Sequence, residues 1–431
     1  MINSIIIKDF KSYENATLEL FPLTVLVGAN ASGKSNALEA IRFLSWLAQG
    51  QKLTALQYKI NQDEQVVRGQ LNDLPRNSKT TFQIGCTQIY ESTNTKLNLV
   101  FEVRNNDGIH IKQEDCDYGN DFLYKTVRPT QGESTDIQVE YNNFARGGKK
   151  PQITCSDQQG IFTQLASAAR FSDGHSKAKK IIPKISSIFE KHLANILFLD
   201  PIPNIMREYS FQSDKELRGD GRNISSVLYA LWHDPKHEKE DILSFIKSLP
   251  EQDIKEINFL HGPRGEVMIQ LVETFGESER KIDAGLLSDG TLRVLAIAAA
   301  LLSAPEESLV IIEEIDNGVH PSRAKQLLSS INKIAVKRRL NILISSHNPA
   351  LLDALPIDVV PNVVFCYRNK QNGGSELLSL KNFPDFVELM SQGTLGDLIT
   401  NGTLDTLIKS YDGQENKKSK ALDWLKSIEN I

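Results

Sequence analysis

An eight-residue stretch of the chain contains the residue types needed to hold the phosphates of a nucleotide. Residues 28–35 read Gly-Ala-Asn-Ala-Ser-Gly-Lys-Ser and match the pattern G-x-x-x-x-G-K-[ST] in full. In this pattern the glycines let backbone N–H groups turn inward around phosphate oxygens. The lysine places a cation at the β- and γ-phosphates, and the final hydroxyl binds Mg²⁺. The predicted nucleotide contacts are Gly28, Asn30, Ala31, Ser32, Gly33, Lys34, Ser35 and Asn36, and Ser35 is also the predicted metal ligand.

The elements that must position this loop flank it in the required order. The apolar run 23–27 predicts a buried strand before the loop, and residues 34–48 fit a helix after it. Strand, glycine-rich loop and helix therefore follow one another as phosphate binding requires.

A second predicted buried strand, 309–313, runs into two acidic residues, Glu313 and Glu314. In a phosphate-loop fold, an acid at this strand end lies beside the loop and can hold Mg²⁺ through water. The next acid can orient or deprotonate the attacking water. We therefore assign Mg²⁺ to Glu313 and the water to Glu314. The alternative is a strand end that is acidic for no functional reason, and the complete phosphate loop argues against it.

A third predicted buried strand, 341–345, is followed by a histidine, His347. Most single histidines are solvated or packed in a core, but this one follows a strand end, at the edge where such sheets bind ligands. His347 is predicted to bond the γ-phosphate or the catalytic water, and so to sense the state of the nucleotide.

The stretch Leu-Ser-Asp-Gly-Thr at 287–291 opens a predicted helix over 291–303. Ser288 is a good N-cap residue, which is the structural interpretation. The functional interpretation uses the same chemistry, because a serine hydroxyl and free N–H groups at a helix N-terminus bind anions. Both interpretations are open for Ser288 and Gly290 at this point.

Composition limits the class of protein. The chain has 431 residues, a length typical of two or three structural units or of one large nucleotide-binding domain with insertions. A net charge of −5 gives no global basic field for nucleic acid. The four cysteines are far apart, which argues against a disulfide framework or zinc site and favours the cytoplasm. No apolar run is long enough to predict a membrane span, and the N-terminus is not a signal peptide.

The predicted secondary structure is of the α/β class. Helices and strands alternate from 285 to 367, which predicts a parallel sheet with helices on its faces. Residues 80–90 and 97–104 alternate apolar and polar side chains, as antiparallel strands do. The stretch 105–160 is rich in polar residues with one clear strand, and we interpret it as an insertion. Residues 223–262 are predicted to form two or three helices, ahead of a strand at 266–272.

The order of these motifs resembles that of the ATP-binding-cassette (ABC) ATPases of the RecF/SMC/OLD branch, and within it the stand-alone bacterial ATPases of anti-phage defence systems. The resemblance covers about residues 1–48 and 196–380. Asp289 and Thr291 depart from the commoner signature, and Glu313 stands where an aspartate is usual. The resemblance implies a P-loop NTPase with an ABC-type head, built from a mixed β lobe and a parallel-sheet α/β lobe with an inserted polar and helical region. The implied divisions are 1–104 and 196–380 for the head, 105–195 for the insertion and 381–431 for a helical tail.

The resemblance also implies a function, namely ATP hydrolysis by a head-to-tail dimer or a higher oligomer. Ser288 and Gly290 of one subunit would close over ATP held by another, Glu314 matches the catalytic glutamate, and His347 matches the switch histidine. About fifty residues follow 381, too few for the nuclease domain that some members carry. An effector nuclease in phage defence is therefore expected as a separate chain.

Two alternatives remain open. The first is a RecF-like DNA-repair ATPase that binds duplex DNA, for which the best basic patch is the run 145–150 together with Lys177, Lys179 and Lys180. A solvated loop is the favoured interpretation of that run. The second alternative is a module that binds ATP without hydrolysing it.

Overall fold

A computed structural model describes residues 1–59, 66–105, 107–130, 134–235, 239–246, 253–275, 278–316, 321–383, 390–391, 393–404 and 406–407. Its strands are β1 (Ile2–Phe10), β2 (Tyr13–Glu19), β3 (Leu23–Val27), β4 (Thr81–Tyr90), β5 (Thr93–Arg104), β6 (Gly108–Tyr118), β7 (Asp121–Arg128), β8 (Asp136–Tyr141), β9 (Gln152–Ser156), β10 (Leu197–Leu199), β11 (Ser210–Phe211), β12 (Asp253–His261), β13 (Glu266–Phe275), β14 (Ser278–Asp283), β15 (Leu309–Ile312), β16 (Asn341–Ser346), β17 (Val363–Arg368) and β18 (Ser375–Ser379).

The helices lie mostly between strands of the α/β part. They are α1 (Lys34–Ala48), α2 (Leu53–Lys59), α3 (Ile161–Gln164), α4 (Ser176–Ala194), α5 (Pro203–Met206), α6 (Ile224–His233), α7 (Lys239–Ile246), α8 (Asp289–Ser303), α9 (Pro321–Arg338), α10 (Pro349–Asp353) and α11 (Leu395–Thr400). Of the helical tail predicted over 381–431, α11 lies within the described residues and 408–431 lie outside them. Within the ranges given above, no helix is long and apolar enough to cross a bilayer.

A 14-stranded sheet forms the centre of the molecule, and its first five strands run parallel in the order β10-β15-β16-β3-β17. The strands β3, β15 and β16 are buried along their whole length, as parallel strands covered on both faces by helices must be. The predicted alternation over 285–367 is confirmed, and with it the α/β fold class. Three strand ends that carry predicted site residues therefore meet at one edge of the sheet.

The remaining strands of the large sheet are mixed. β18 pairs with β2 in parallel, and the following strands, in the order β2-β1-β4-β5-β6-β7-β8-β9, pair antiparallel. Sequence analysis predicted one strand between 105 and 160, whereas the structure has four, β6 to β9, which continue this sheet. Buried polar residues such as His110 and Glu114 occupy inward positions of β6 and hide the alternation of apolar residues.

A small second sheet has the strand order β11-β13-β12, and β14 is also paired to β13. The helices predicted up to 262 are wrong in part, because β12 replaces the last of them. The pairing of β12 shifts register between Ile254 and Glu256. Because of this bulge, Ile254 and Ile257 are both buried although they are three residues apart in the strand. This bulge gives the strand a spacing that is typical of a helix.

Glu114 is a fully buried carboxyl group of the antiparallel region. Its side chain accepts hydrogen bonds from the Tyr124 hydroxyl at 2.8 Å and from the backbone N–H groups of Ile161 and Phe162 at 2.7 and 2.6 Å. These bonds join β6 and β7 to the start of α3. Burial raises the pKa of Glu114 to about 8, although the hydrogen bonds oppose the rise.

We predict that Glu114→Gln makes the stability less dependent on pH. The pKa of Glu114 rises on folding from 4.5 to about 8. The group therefore contributes stability that is fully present below the lower value and is lost as the pH rises through the upper one. The slope reaches about 1.4 kcal/mol per pH unit between the two. Urea unfolding at several pH values should show the wild type losing stability relative to the variant as the pH rises. The exposed Asp121→Asn is the control, and a pH-independent difference for Glu114→Gln contradicts the prediction.

Candidate nucleotide-binding site

The loop between β3 and α1 needs glycine at two positions. Gly28 has a φ of 157°, and a Cβ there would overlap the carbonyl oxygen of Cys366 on β17. Gly33 has a φ of 120°, and a Cβ there would overlap the hydroxyl of Ser375 on β18. The loop thus lies directly against the β17–β18 hairpin, and any side chain at either glycine would push the loop away from the hairpin.

Three side chains from distant segments fix the far half of the loop. The Arg368 guanidinium donates to the carbonyl oxygen of Ala31 at 3.0 Å, and the Ser375 hydroxyl donates to the carbonyl oxygen of Ser32. The Ser12 hydroxyl, in the β1–β2 turn, accepts the side-chain amide of Asn36 at 2.7 Å and is hydrogen-bonded to the Ser375 hydroxyl, also at 2.7 Å. These partners were missed by sequence analysis, because nothing in a single sequence relates residue 12 or 375 to the loop.

Lys34 is the first residue of α1, and its side chain lies over the phosphate loop. Its Nζ donates to the carbonyl oxygens of Gly28 at 2.5 Å and Ala29 at 3.2 Å. Burial lowers the pKa of Lys34, while the nearby Cys366, Glu314 and Asp316 oppose the change. A phosphate anion in the loop would favour the charged form of the lysine, as a phosphate-binding cation requires.

Glu313 is engaged by an arginine of α1. The Arg42 guanidinium donates to the Glu313 carboxylate at 2.8 Å and stacks 4.9 Å from the ring centre of Phe198. Burial raises the pKa of Glu313, and the neighbouring Asp200 raises it further, whereas Arg42 lowers it. Asp200 and Glu313 follow β10 and β15, which are parallel neighbours, so the two carboxylates stand side by side.

A cavity of about 720 Å³ joins Glu313 to the end of the phosphate loop. Its walls include Ser35, Arg42, Asp200 and Glu313. The Ser35 hydroxyl and the Glu313 carboxylate are oxygen donors of the kind that Mg²⁺ prefers, and they line one space, so the residues fit this ion. Among the described residues, no group of three or more His, Cys, Asp or Glu side chains forms a metal cluster.

Glu314 stands in a sharp turn directly after Glu313. It has a φ of 48°, and its backbone N–H donates to the Ser345 hydroxyl at 3.0 Å. Its carboxylate is close enough to Lys34 to influence the pKa of that lysine. The predicted base therefore lies near the predicted phosphate cation.

His347 faces the phosphate loop from the end of β16. Its imidazole is 51% exposed, and its Nδ1 lies 3.7 Å from a carboxylate oxygen of Asp316. His347 lines a cavity of about 330 Å³ together with Gly28, Asn30 and Ser32. The structure thus brings the loop, the two acids and the histidine to one edge of the sheet.

Ser288 and Gly290 lie at the start of α8. The Ser288 side chain caps the helix, accepting the Thr291 N–H at 3.1 Å, so the structural interpretation is confirmed. Arg207 holds this start by donating to the Leu287 carbonyl at 3.0 Å and to the Asp289 carboxylate at 2.6 Å. Ser288 is exposed, which leaves the functional interpretation as a prediction.

Comparison with known proteins covers both halves of the site. A family model described as "AAA domain, putative AbiEii toxin, Type IV TA system" matches residues 23–353. An "ATP/GTP phosphatase" of Helicobacter pylori is 22% identical over 394 residues, 86% of this chain and 91% of that protein. The "DNA replication and repair protein RecF" of Gloeobacter violaceus is 51% identical over 45 residues, 10% of this chain and 12% of that protein.

Among solved structures, the SMC head domain of Thermotoga maritima covers 88% of this chain and 98% of its own, with 12% identity and a TM-score of 0.42. An Smc head bound to the C-winged-helix domain of ScpA has 15% identity, a TM-score of 0.46 and the same two coverages. The fold is assigned from the sheet order and the phosphate loop of this chain. The family match spans the loop, Ser288, the paired acids and His347. The chain belongs to this family of AAA domains and is an ATPase.

Proposed function

We propose that the chain hydrolyses Mg²⁺-ATP in a composite site between two copies arranged head to tail, and that closure of this dimer controls a separate effector chain. The observation that carries the proposal is the meeting of the phosphate loop, Glu313, Glu314 and His347 at one sheet edge, while Ser288 faces outward. One copy thus offers a nucleotide site and a separate exposed helix N-terminus suited to an anion.

Each residue at the edge has a chemical task in this proposal. Lys34 and the loop N–H groups bind the phosphates, and Ser35 and Glu313 would hold Mg²⁺, which supplies charge to offset that developing on the phosphates. Glu314 takes a proton from the attacking water, and His347 donates a hydrogen bond to the γ-phosphate. Arg42 releases or shares the Glu313 carboxylate when the cation binds.

The surface around the start of α8 supports closure by a second copy. Leu286, two residues before Ser288, is 71% exposed, so the turn before α8 is open to contact with a second copy. Arg207 already fixes this turn in the single copy, so little ordering is needed when it meets a second nucleotide.

The control of an effector is proposed from the family description. The family description refers to a toxin of a type IV toxin–antitoxin system, which supports control of a toxic partner. We propose a nuclease in phage defence as that partner. Co-purification of the chain with a neighbouring gene product, in the presence and absence of ATP, tests this part.

A second candidate function is a RecF-like ATPase that binds duplex DNA, which the short match to RecF favours. In the predicted basic patch, Lys150 bonds to Asn142, Asn143 and Ala145, and Lys179 pairs with Asp173. The Asp173 carboxylate offsets the charge of Lys179, whereas the partners of Lys150 are neutral oxygens that leave its charge in place. Gel-shift titration with duplex DNA, with and without ATP, distinguishes this candidate.

We predict that Lys34→Ala weakens ATP binding about a hundredfold or more, because removal of one partner of a desolvated charge pair costs several kcal/mol. The measurement is equilibrium binding of a fluorescent ATP analogue. Lys333→Ala, which removes an exposed lysine of α9, is the matched control and should bind normally. Unchanged affinity in Lys34→Ala would refute the loop assignment.

We predict that Glu314→Gln keeps ATP binding and lowers hydrolysis at least a hundredfold, because the amide keeps the shape of the side chain and cannot accept the proton. The closed dimer should accumulate with ATP in size-exclusion chromatography. Glu306→Gln, at an exposed carboxylate, serves as the control. Normal turnover in Glu314→Gln would transfer the role of base to another acid.

We predict that Ser288→Arg binds ATP and hydrolyses almost none, because the arginine blocks closure over the nucleotide of the second copy. If Ser288 only caps α8, the substitution costs about 1 kcal/mol of stability and leaves hydrolysis intact. Mixing Ser288→Arg with Lys34→Ala gives dimers with one doubly damaged and one intact site. Hydrolysis should return in the mixture, and full activity of Ser288→Arg alone would exclude the composite site.

A further inference from the structure

The turn that follows β15 holds Glu314 in a conformation that a glutamate rarely adopts. Its φ of 48° lies in the left-handed region, where the Cβ crowds the following carbonyl and the conformation costs about 1 kcal/mol or more. Such a conformation persists only when surrounding contacts impose it. The turn also decides in which direction the Glu314 side chain leaves the strand.

Ser345 on the neighbouring strand supplies two contacts that impose this turn. Its hydroxyl accepts the backbone N–H of Glu314 at 3.0 Å, and its carbonyl oxygen accepts the N–H of Ile315 at 3.2 Å. Ile312 pairs with Ile344 at the end of the β15–β16 ladder, so Ser345 follows the last paired residue. The side chain of Ser345 is buried, which shields both hydrogen bonds from water.

The hydroxyl is the part of Ser345 that an ordinary strand residue would lack. The backbone carbonyl is present at any residue type, but the acceptor for the Glu314 N–H comes from the side chain. An aliphatic residue here would leave that N–H without this acceptor, and an unsatisfied donor costs about 1–3 kcal/mol. The turn could then relax toward a less strained φ and take the carboxylate with it.

We propose that Ser345 is a positioning residue for ATP hydrolysis, whose hydroxyl fixes the Glu314 turn and so aims the Glu314 carboxylate at the attacking water. This inference rests on the role of Glu314 in the proposed function. The hydroxyl of the adjacent Ser346 accepts the Asn348 N–H at 3.0 Å and so holds the turn that contains His347.

The test compares two substitutions of nearly equal shape, Ser345→Thr and Ser345→Val. Threonine keeps the hydroxyl and valine replaces it with a methyl group. We expect Ser345→Val to lower kcat by about ten- to a hundredfold, since small misplacements of a catalytic group cost that much, with KM for ATP nearly unchanged. Ser345→Thr should stay within about threefold of the wild type. Equal kcat values for the two variants overturn the proposal.

A matched control separates positioning from stability. Ser210 in β11 is also buried, and its hydroxyl accepts the backbone N–H of Ser226 at 2.9 Å, away from the site. Ser210→Val should lower the melting temperature about as much as Ser345→Val does, yet keep kcat. A comparable loss of kcat in Ser210→Val overturns the proposal, and Ser345→Ala serves as the hydroxyl-free variant if Ser345→Val does not fold.

A double variant shows whether Ser345 acts through Glu314. In single-turnover reactions with enzyme in excess, adding Ser345→Val to Glu314→Gln should slow the residual hydrolysis less than twofold, because the carboxylate it aims is already gone. A full additional loss overturns the proposal. Wild-type turnover in Glu314→Gln alone would instead refute the proposed role of Glu314 as the base, whatever the Ser345 pair shows.

Discussion

The parallel pairing of β3 with β16, and of β16 with β15, is the constraint on which the site depends. Parallel strands end at the same edge of the sheet. The phosphate loop after β3, the acids after β15 and the histidine after β16 therefore lie together although they are far apart in sequence. Both faces of all three strands are covered, so a slip of one residue would exchange the side chains packed on the two faces and disrupt the close packing on each.

The phosphate loop is held open for a ligand by parts of the chain that bind no phosphate themselves. The hairpin of β17 and β18 presses on both glycines, and Arg368 and Ser375 take up two carbonyl oxygens of the loop. With these carbonyls turned away into hydrogen bonds, N–H groups of the same loop can face an anion. The ability of the loop to face an anion therefore depends on the hairpin of β17 and β18 as well as on the loop sequence.

Much of this arrangement could be predicted from the sequence, since the loop, the acids, His347 and the α/β alternation are local patterns. Of the four strands β6 to β9, only β8 was predicted, as the one clear strand near 136–141, and buried polar residues such as Glu114 mask the periodicity of β6. β12 failed for a related reason, as its bulge spaces Ile254 and Ile257 like helix residues. Contacts such as that of Ser12 with Ser375 join residues 363 positions apart, and only the folded sheet relates them.

The charges at the edge are balanced within the chain before any nucleotide binds. Arg42 neutralises Glu313, and Lys34 lies between its own loop carbonyls and the acids that follow β15. In the proposed function, nucleotide phosphates and a divalent cation bring charges of both signs, and each would replace one internal partner: the phosphates would take Lys34 from the loop carbonyls, and the cation would take Glu313 from Arg42. Binding would then replace polar partners that are already in place, which limits the desolvation penalty. In the closed dimer that we propose, the exposed start of α8 at Ser288 would add a contact with the nucleotide of the second copy to this exchange, and closure would then depend on the bound nucleotide.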